Sequence, residues 1–343
     1  MVDYTLEINE INDVIRIKID VPFPVKYVCV YLFSTGGSHV LFDSGLKMGN
    51  WKNLFFSALD KVGISIRDID YCFISHEHLD HVGLANVFKR KNPDMKILMH
   101  DITHEILKWE SDKTNIKFIK KQAEELAKIM IKYGITEEQG EKLIQWFTMW
   151  PSYRTYVKPD ILLQDNDELP VDDHVLRVIW TPGHTLGHIC VFDKKTRYLY
   201  AGDHILSRIT PHIGNFTVNP LILQKYASHD FHDILKLYLE SLDRIEKLNP
   251  EIIFPAHQEI IFNPHKRIRE IKKHHKKRLK EISELIKNNP MTPFDISFAH
   301  FGNNLDDINR YLAVSEVLGH LIFLENLGQV KKIEKNGKIF FVS

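Results

Sequence analysis

Five short segments of this 343-residue chain share one arrangement: an apolar run, a turn, then a side chain able to bind a metal ion. The densest is SHEHLDH at residues 75–81, which sets His76, His78, Asp80 and His81 directly after the apolar run DYCFIS. TPGHTLGH supplies His184 and His188, AGDH supplies Asp203 and His204, FPAH supplies His257, and VLFDSG places Asp43 at the end of its own run. Short apolar runs of this kind predict buried strands. A lone histidine near a strand end is more often a structural hydrogen-bonding group. Five segments in series, each at the carboxyl end of a predicted strand, are a strong signal for one shared site. Imidazole and carboxylate are the ligands that borderline metals such as zinc accept.

The rest of the chain reads around that series. Residues 14–19, 27–34 and 39–42 are β-branched or aromatic runs bounded by Pro22, Pro24 and the Gly36-Gly37 turn. Residues 51–62 place Leu54, Phe55, Ala58, Leu59 and Val62 on one helical face. A helix is predicted over 82–91 and a strand over 96–99. Residues 101–157 break the rhythm with two or three helices rich in large side chains, among them Trp109, Phe118, Trp146 and Trp150. Strands resume at 176–180, 189–192, 197–201 and 251–255, with a helix at 231–248 before the last. One amphipathic helix is predicted over 265–288. Short helices near 292, 305–311 and 314–327 follow, then a hairpin of 330–334 and 338–342 turned by Asn336-Gly337. Helices followed by a small hairpin outline a winged helix. The expected organisation is a catalytic domain at 1–264 with a helical insert at about 101–157, then a basic helix and winged-helix-like domain at 265–343.

Charge is distributed unevenly. The formal net charge is zero, from 45 basic and 45 acidic side chains. Residues 265–288 carry 10 basic and 3 acidic groups, a balance of +7, whereas residues 1–264 carry 30 and 36, a balance of −6. A mildly acidic body offers little to a long nucleic-acid track. The helix candidate at 313–328 contains no Lys or Arg, so DNA reading is not expected. No apolar run is long enough to span a membrane, and no signal peptide is visible. Cys29, Cys72 and Cys190 make no CxxC, so a reducing cytoplasm is the expected setting.

Asp43, the HxHxDH of His76–His81, His184, Asp203 and His257, in that order, resemble the five motifs of the metallo-β-lactamase superfamily. The resemblance covers residues 10–265 and implies an α/β fold, the αβ/βα sandwich with metals at one edge of two packed sheets. It implies that His76, His78 and His184 hold a first ion, that Asp80, His81 and His257 hold a second, and that Asp203 bridges them. It also implies that Asp43 orients a ligand from behind, and that Asp80 has a second role in receiving a proton from the attacking water. His188 and His204 are expected either to contact substrate or to hydrogen-bond backbone. The expected cofactors are two divalent ions, zinc first, with iron or manganese as alternatives. A bound zinc lowers the pKa of its water toward ~7, giving a hydroxide for attack on a carbonyl or phosphoryl centre.

Departures from subtypes narrow the substrate. The commonest β-lactamases carry Arg at the position of His81 and Cys at that of Asp203, so a β-lactam specialist is not expected. Flavodiiron proteins carry Glu where this chain has His78. Ala256-His257-Gln258 replaces the more common Gly-His-Gly. GDHIL at 202–206, His274-His275 and the segment 315–330 look like the branch with a C-terminal winged helix, whose members include predicted thioesterases, glyoxalase-like hydrolases and an endoribonuclease. The expected function is a dinuclear metal-dependent hydrolase acting on a thioester, ester or lactone with an apolar acyl part. The alternative is an endoribonuclease using the same ions with helix 265–288 as a clamp, and a weaker reading is a mononuclear iron oxygenase. The expected partner is a small acyl substrate, with no DNA and no membrane, and with a homodimer open. The aromatic insert is expected to form either an apolar lid or a satellite core or dimer surface.

Overall fold

In the computed structural model, residues 4–214, 224–227 and 230–343 are described, and the apolar runs form two sheets. The first has seven strands in spatial order β1 (Leu6–Ile11), β2 (Val14–Asp20), β3 (Tyr27–Ser34), β4 (His39–Phe42), β5 (Ile69–Ile74), β6 (Lys96–His100) and β7 (Ile161–Leu163). Pairing is antiparallel from β1 to β4 and parallel from β4 to β7. The second sheet runs β12 (Ile252–Pro255), β11 (Tyr198–Gly202), β10 (Ile189–Asp193), β9 (His174–Trp180) and β8 (Glu168–Val171). Only its β11–β12 pair is parallel.

Aromatic side chains join the two sheets. Phe33 on β3 stacks on Tyr200 of β11 with centroids 4.4 Å apart, and Tyr31 meets Phe254 of β12 edge-on at 5.3 Å. Such pairs add to the burial of large apolar area. Trp51, Phe55, Ala58 and Leu59 are the buried face of helix Trp51–Lys61, where Phe55 stacks on Phe88 of helix Ala85–Lys91. The helix predicted over 82–91 is preceded by a separate turn, Leu79–Val82, which carries Asp80 and His81.

The chain packs as two compact units: Met1–Lys108, Arg154–Pro211 and Ser241–Ile268 form one, and Trp109–Tyr153, His212–Glu240 and Arg269–Ser343 form the other. Packing therefore crosses the linear division drawn at residue 264. In the second unit, Ala127, Met130, Ile135 and Leu143 from insert helices Ile116–Lys132 and Glu137–Met149, with the loop between them, surround Tyr311 and Val314. These helices thus share one core with residues 311–314, although Phe118, Met149 and Tyr153 stay exposed.

Helix Pro293–Phe301 starts at a Thr292 capping box. The two helices predicted at 305–311 and 314–327 are one, Asp307–Asn326, because Leu312 and Ala313 are good helix formers and nothing there breaks the run. The hairpin β13 (Lys331–Lys335) and β14 (Lys338–Val342) follows. Among the described residues no helix is long and apolar enough to cross a membrane.

Candidate metal centre

The carboxyl ends of β4, β5, β9, β11 and β12 carry the five motifs, and the sheets bring them together. His76, His78, His184 and Asp203 form one group whose ligand atoms lie within 4.8 Å of one another, and Asp80, His81 and His257 form a second. His184 Nε2 faces His78 Nδ1 at 3.1 Å. Asp203 stands between the groups: its Oδ2 is 3.4 Å from His184 Nε2, while its Oδ1 is 3.6 Å from His81 Nε2 and 3.3 Å from His257 Nε2. Asp80 closes the second group, 3.7 Å from His81 and 3.5 Å from His257.

Hydrogen bonds behind three of the imidazoles fix their tautomers. His81 donates its Nδ1–H to Asp43 Oδ2 at 2.7 Å, and His257 donates its own to the Tyr27 carbonyl at 2.5 Å. Asp43 also accepts from the Ser75 N–H at 2.7 Å and the Ser75 hydroxyl at 2.9 Å. With that hydroxyl proton committed, Ser75 Oγ accepts the Nδ1–H of His76 at 2.9 Å. In its neutral form each ring keeps its proton on Nδ1 and turns an Nε2 lone pair toward the shared space, the form in which histidine binds a metal. Arg154 braces the same loop by donating to the Glu77 carbonyl.

Electrostatics single out the same point. Burial alone would lower the pKa of His81, but Asp203, Asp43 and Asp80 outweigh it and push the ring up to about 10. Burial would raise Asp203, yet His257 and His81 hold it well below the usual carboxylate range. His76 and His78 are driven well below the ordinary imidazole value, first by burial and then by neighbouring cationic groups. His76 Nε2, His81 Nε2 and Asp203 Oδ1 are buried without a hydrogen-bond partner. Orphaned buried lone pairs among carboxylates and imidazoles are costly unless a cation meets them. The donor set therefore fits two divalent ions of the borderline class.

His188 belongs to the scaffold. It is fully buried, its Nδ1 is 2.8 Å from Thr181 Oγ1, and its Nε2 accepts the backbone N–H of Asp203 at 3.1 Å. Its ring thus makes a backbone hydrogen bond, one of the two roles expected for it. His204 is also fully buried, with its ring 5.9 Å from that of His188. Sequence reading missed Ser75, Thr181 and the Tyr27 carbonyl. Ser75 alone had a signal, standing between the apolar run and the first histidine.

The family description "Metallo-beta-lactamase superfamily" matches residues 24–257, the span that carries all of these side chains. The chain belongs to that superfamily. Over 333 residues it is 26% identical to the "Probable metallo-hydrolase YqjP" of Bacillus subtilis, covering 96% of this chain and 98% of that one. A beta-lactamase domain protein from Burkholderia ambifaria superposes with a TM-score of 0.80 at 21% identity, covering 98% and 94% of the two chains. A metallo-beta-lactamase family protein from Thermus thermophilus gives 0.73 at 24% identity, covering 97% and 99%. More distant relatives include an atrochrysone carboxyl ACP thioesterase of Aspergillus fumigatus, 20% identical over 70% of this chain and 53% of its own. The "Probable RNase MJ4" of Methanocaldococcus jannaschii is 36% identical over 74 residues, 22% of this chain and 16% of its own. As a metallo-beta-lactamase superfamily hydrolase, the chain keeps the mixed two-sheet fold with flanking helices.

Proposed function

We propose that this hydrolase uses two divalent ions, zinc foremost and iron or manganese as alternatives, to cleave a thioester, ester or lactone with an apolar acyl part. The observation that carries the dinuclear reading is Asp203, whose two carboxylate oxygens face different ligand groups. His76, His78 and His184 would hold one ion, Asp80, His81 and His257 the other, with Asp203 shared. Bound there, the ions would supply Lewis acidity and would lower the pKa of water toward ~7. Asp43 fixes the His81 tautomer through the 2.7 Å hydrogen bond. Asp80 is 8% exposed at the edge of the shared space, where its carboxylate can take up the proton of an attacking water.

Two observations favour an acyl substrate over RNA. The relative named as a thioesterase matches 70% of this chain, whereas the relative named as an RNase matches 22%. The insert also presents large apolar side chains at Phe118 and Met149. Purified protein should turn over acyl-thioesters, esters or lactones, and a chelator should abolish that turnover until divalent metal is restored. Activity indifferent to chelation, or none on all three classes alongside cleavage of RNA, would overturn the proposal.

A further inference from the structure

The turn that carries His257 has an unusual occupant. Gln258 adopts φ +67°, in the left-handed region that favours glycine and is strained for a side chain of this size. Three sets of contacts hold it there. Its backbone carbonyl accepts from Arg16 Nη2 at 2.7 Å. Its side-chain oxygen accepts from the N–H groups of Arg208 at 2.7 Å and Ile209 at 3.3 Å, tying the turn to the segment after Asp203. Its neighbour Glu259 accepts from Tyr27 Oη at 3.1 Å, lies 3.4 Å from Arg16 Nη1, and donates its N–H to Ser207 Oγ at 3.1 Å.

Arg16 is the centre of this arrangement. It projects from β2, is only 5% exposed, and donates its Nε–H to Cys29 Sγ at 3.1 Å. Cys29 in turn donates its backbone N–H to the Ala256 carbonyl at 2.7 Å, on the other side of His257. A buried guanidinium is costly unless its fork of donors is used. Here the fork reaches from β3 to the far side of the His257 turn. It grips the carbonyl of the residue whose backbone is strained.

We infer that Arg16 is a positioning residue for His257, holding Gln258 in its left-handed turn and thereby the second ligand group in register. Gln258 and Arg16 together replace the glycine that would otherwise make this turn. The inference rests on the dinuclear reading of the site. Groups that orient metal ligands typically account for about 10- to 100-fold in metal affinity.

The test is zinc titration of the metal-free full-length chain against a competing chelator, run on wild type, Arg16→Met, Arg16→Lys and the double variant Arg16→Met/Gln258→Gly. Wild type should take up two equivalents; fewer would overturn the dinuclear reading and this inference with it. In Arg16→Met the first equivalent should bind as in wild type, while the second weakens by about 10- to 100-fold. Glycine takes a left-handed conformation without strain, so the double variant should recover most of that loss. Arg16→Lys keeps the charge but cannot span Cys29 and Gln258 at once, so it should weaken the second equivalent alone, and it serves if Arg16→Met does not fold. Wild-type affinity at both sites in Arg16→Lys or Arg16→Met would overturn the inference. So would a folded Arg16→Met whose second site the added Gln258→Gly change fails to rescue.

Discussion

His81 Nδ1 lies 2.7 Å from Asp43 Oδ2, and both side chains are fully buried. Asp43 has φ +66°, so this carboxylate is delivered by a backbone turn that asparagine also tolerates. Asp43→Asn therefore tests the charge with the backbone intact. An amide nitrogen facing Nδ1 forces His81 to carry its proton on Nε2, the atom that the second ligand group needs. The variant should remain folded, lose about 10- to 100-fold in affinity for one of two metal equivalents, and lose activity in proportion. Unchanged metal content would show that Asp43 serves the fold alone.

Asp203→Ala removes a side chain that faces both ligand groups. Its carboxylate faces the imidazoles of His184, His81 and His257 at 3.3–3.6 Å, so its loss falls first on the ligand groups. The expected result is one retained metal equivalent, nearly complete loss of hydrolysis and an unchanged far-ultraviolet circular dichroism spectrum. Two tight equivalents in this variant would mean that Asp203 does not bridge.

Gly202 sets the distance between the two loops that meet at Asp203. Its φ is +49°, and a Cβ there would stand 2.7 Å from His188 Nε2 and 2.9 Å from Ser75 Cβ. Both neighbours are buried and hydrogen-bonded, so neither can withdraw cheaply. Gly202→Ala should destabilise the protein by about 1–3 kcal/mol and weaken metal binding by displacing His188 from the Asp203 N–H. Equilibrium urea unfolding of the metal-free protein separates the first effect from the second.

Acid lability should arise in the second unit. His320 donates its Nδ1–H to the Glu316 carbonyl at 2.7 Å, so its Nε2 accepts from His275 Nδ1 at 3.1 Å. The pair is neutral: burial, followed by His320 and Arg278, lowers His275 to about 2, and burial drives His320 well below its ordinary value. A folded-state pKa below the unfolded value means that unfolding takes up protons in acid. The contribution is whole above about pH 6.5 and is lost as pH falls below it, by about 2 kcal/mol per imidazole between pH 7 and pH 5. His275→Phe should flatten the slope of unfolding free energy against pH by about one proton in that window, whatever its effect on absolute stability. An identical slope would show that the ring already charges in the fold.

The side chains that the sheets bring together were legible in the sequence because metal chemistry admits few residue types, and because the largely buried strands β4, β5, β9, β11 and β12 read as apolar runs before each motif. Strands β3 and β4 were legible to the residue for the same reason. β1 was not: LEINEI alternates apolar and polar residues as an edge strand of intermediate burial, without a strong signal. β7 and β8 have three and four residues, too few for a period to emerge. Apart from that of Asp43, the contacts behind the imidazoles were out of reach because they use backbone atoms or distant partners. His257 is oriented by the carbonyl of Tyr27, 230 positions away, and His188 acts on the backbone of Asp203. The insert's place beside the C-terminal helices was equally invisible, since apolar residues announce burial but not the surface that covers them.

The basic helix Pro264–Leu285 separates the acyl reading from the RNA reading. Two of its cations have structural work: Arg267 donates to the Leu206 carbonyl at 2.6 Å, and Arg278 pairs with Glu316. Lys273, Lys276 and Lys277 are exposed, and Lys272 is half-buried beside them. Exposed lysines on a helix over an apolar stripe contribute little to stability and are readily neutralised. Replacing Lys272, Lys273, Lys276 and Lys277 by Gln should leave kcat/KM for an acyl-thioester within about twofold, with its modest salt dependence unaltered, because a site that acts on a small acyl group needs no long-range attraction. An enzyme that clamps single-stranded RNA with this face would behave differently. Each lost phosphate contact would reduce the slope of log affinity against log salt by about 0.7, so four would flatten it by about 3. Measuring both substrates across a salt series on this one variant decides between them, and a collapse of RNA cleavage with flattened salt dependence would assign the helix to nucleic acid.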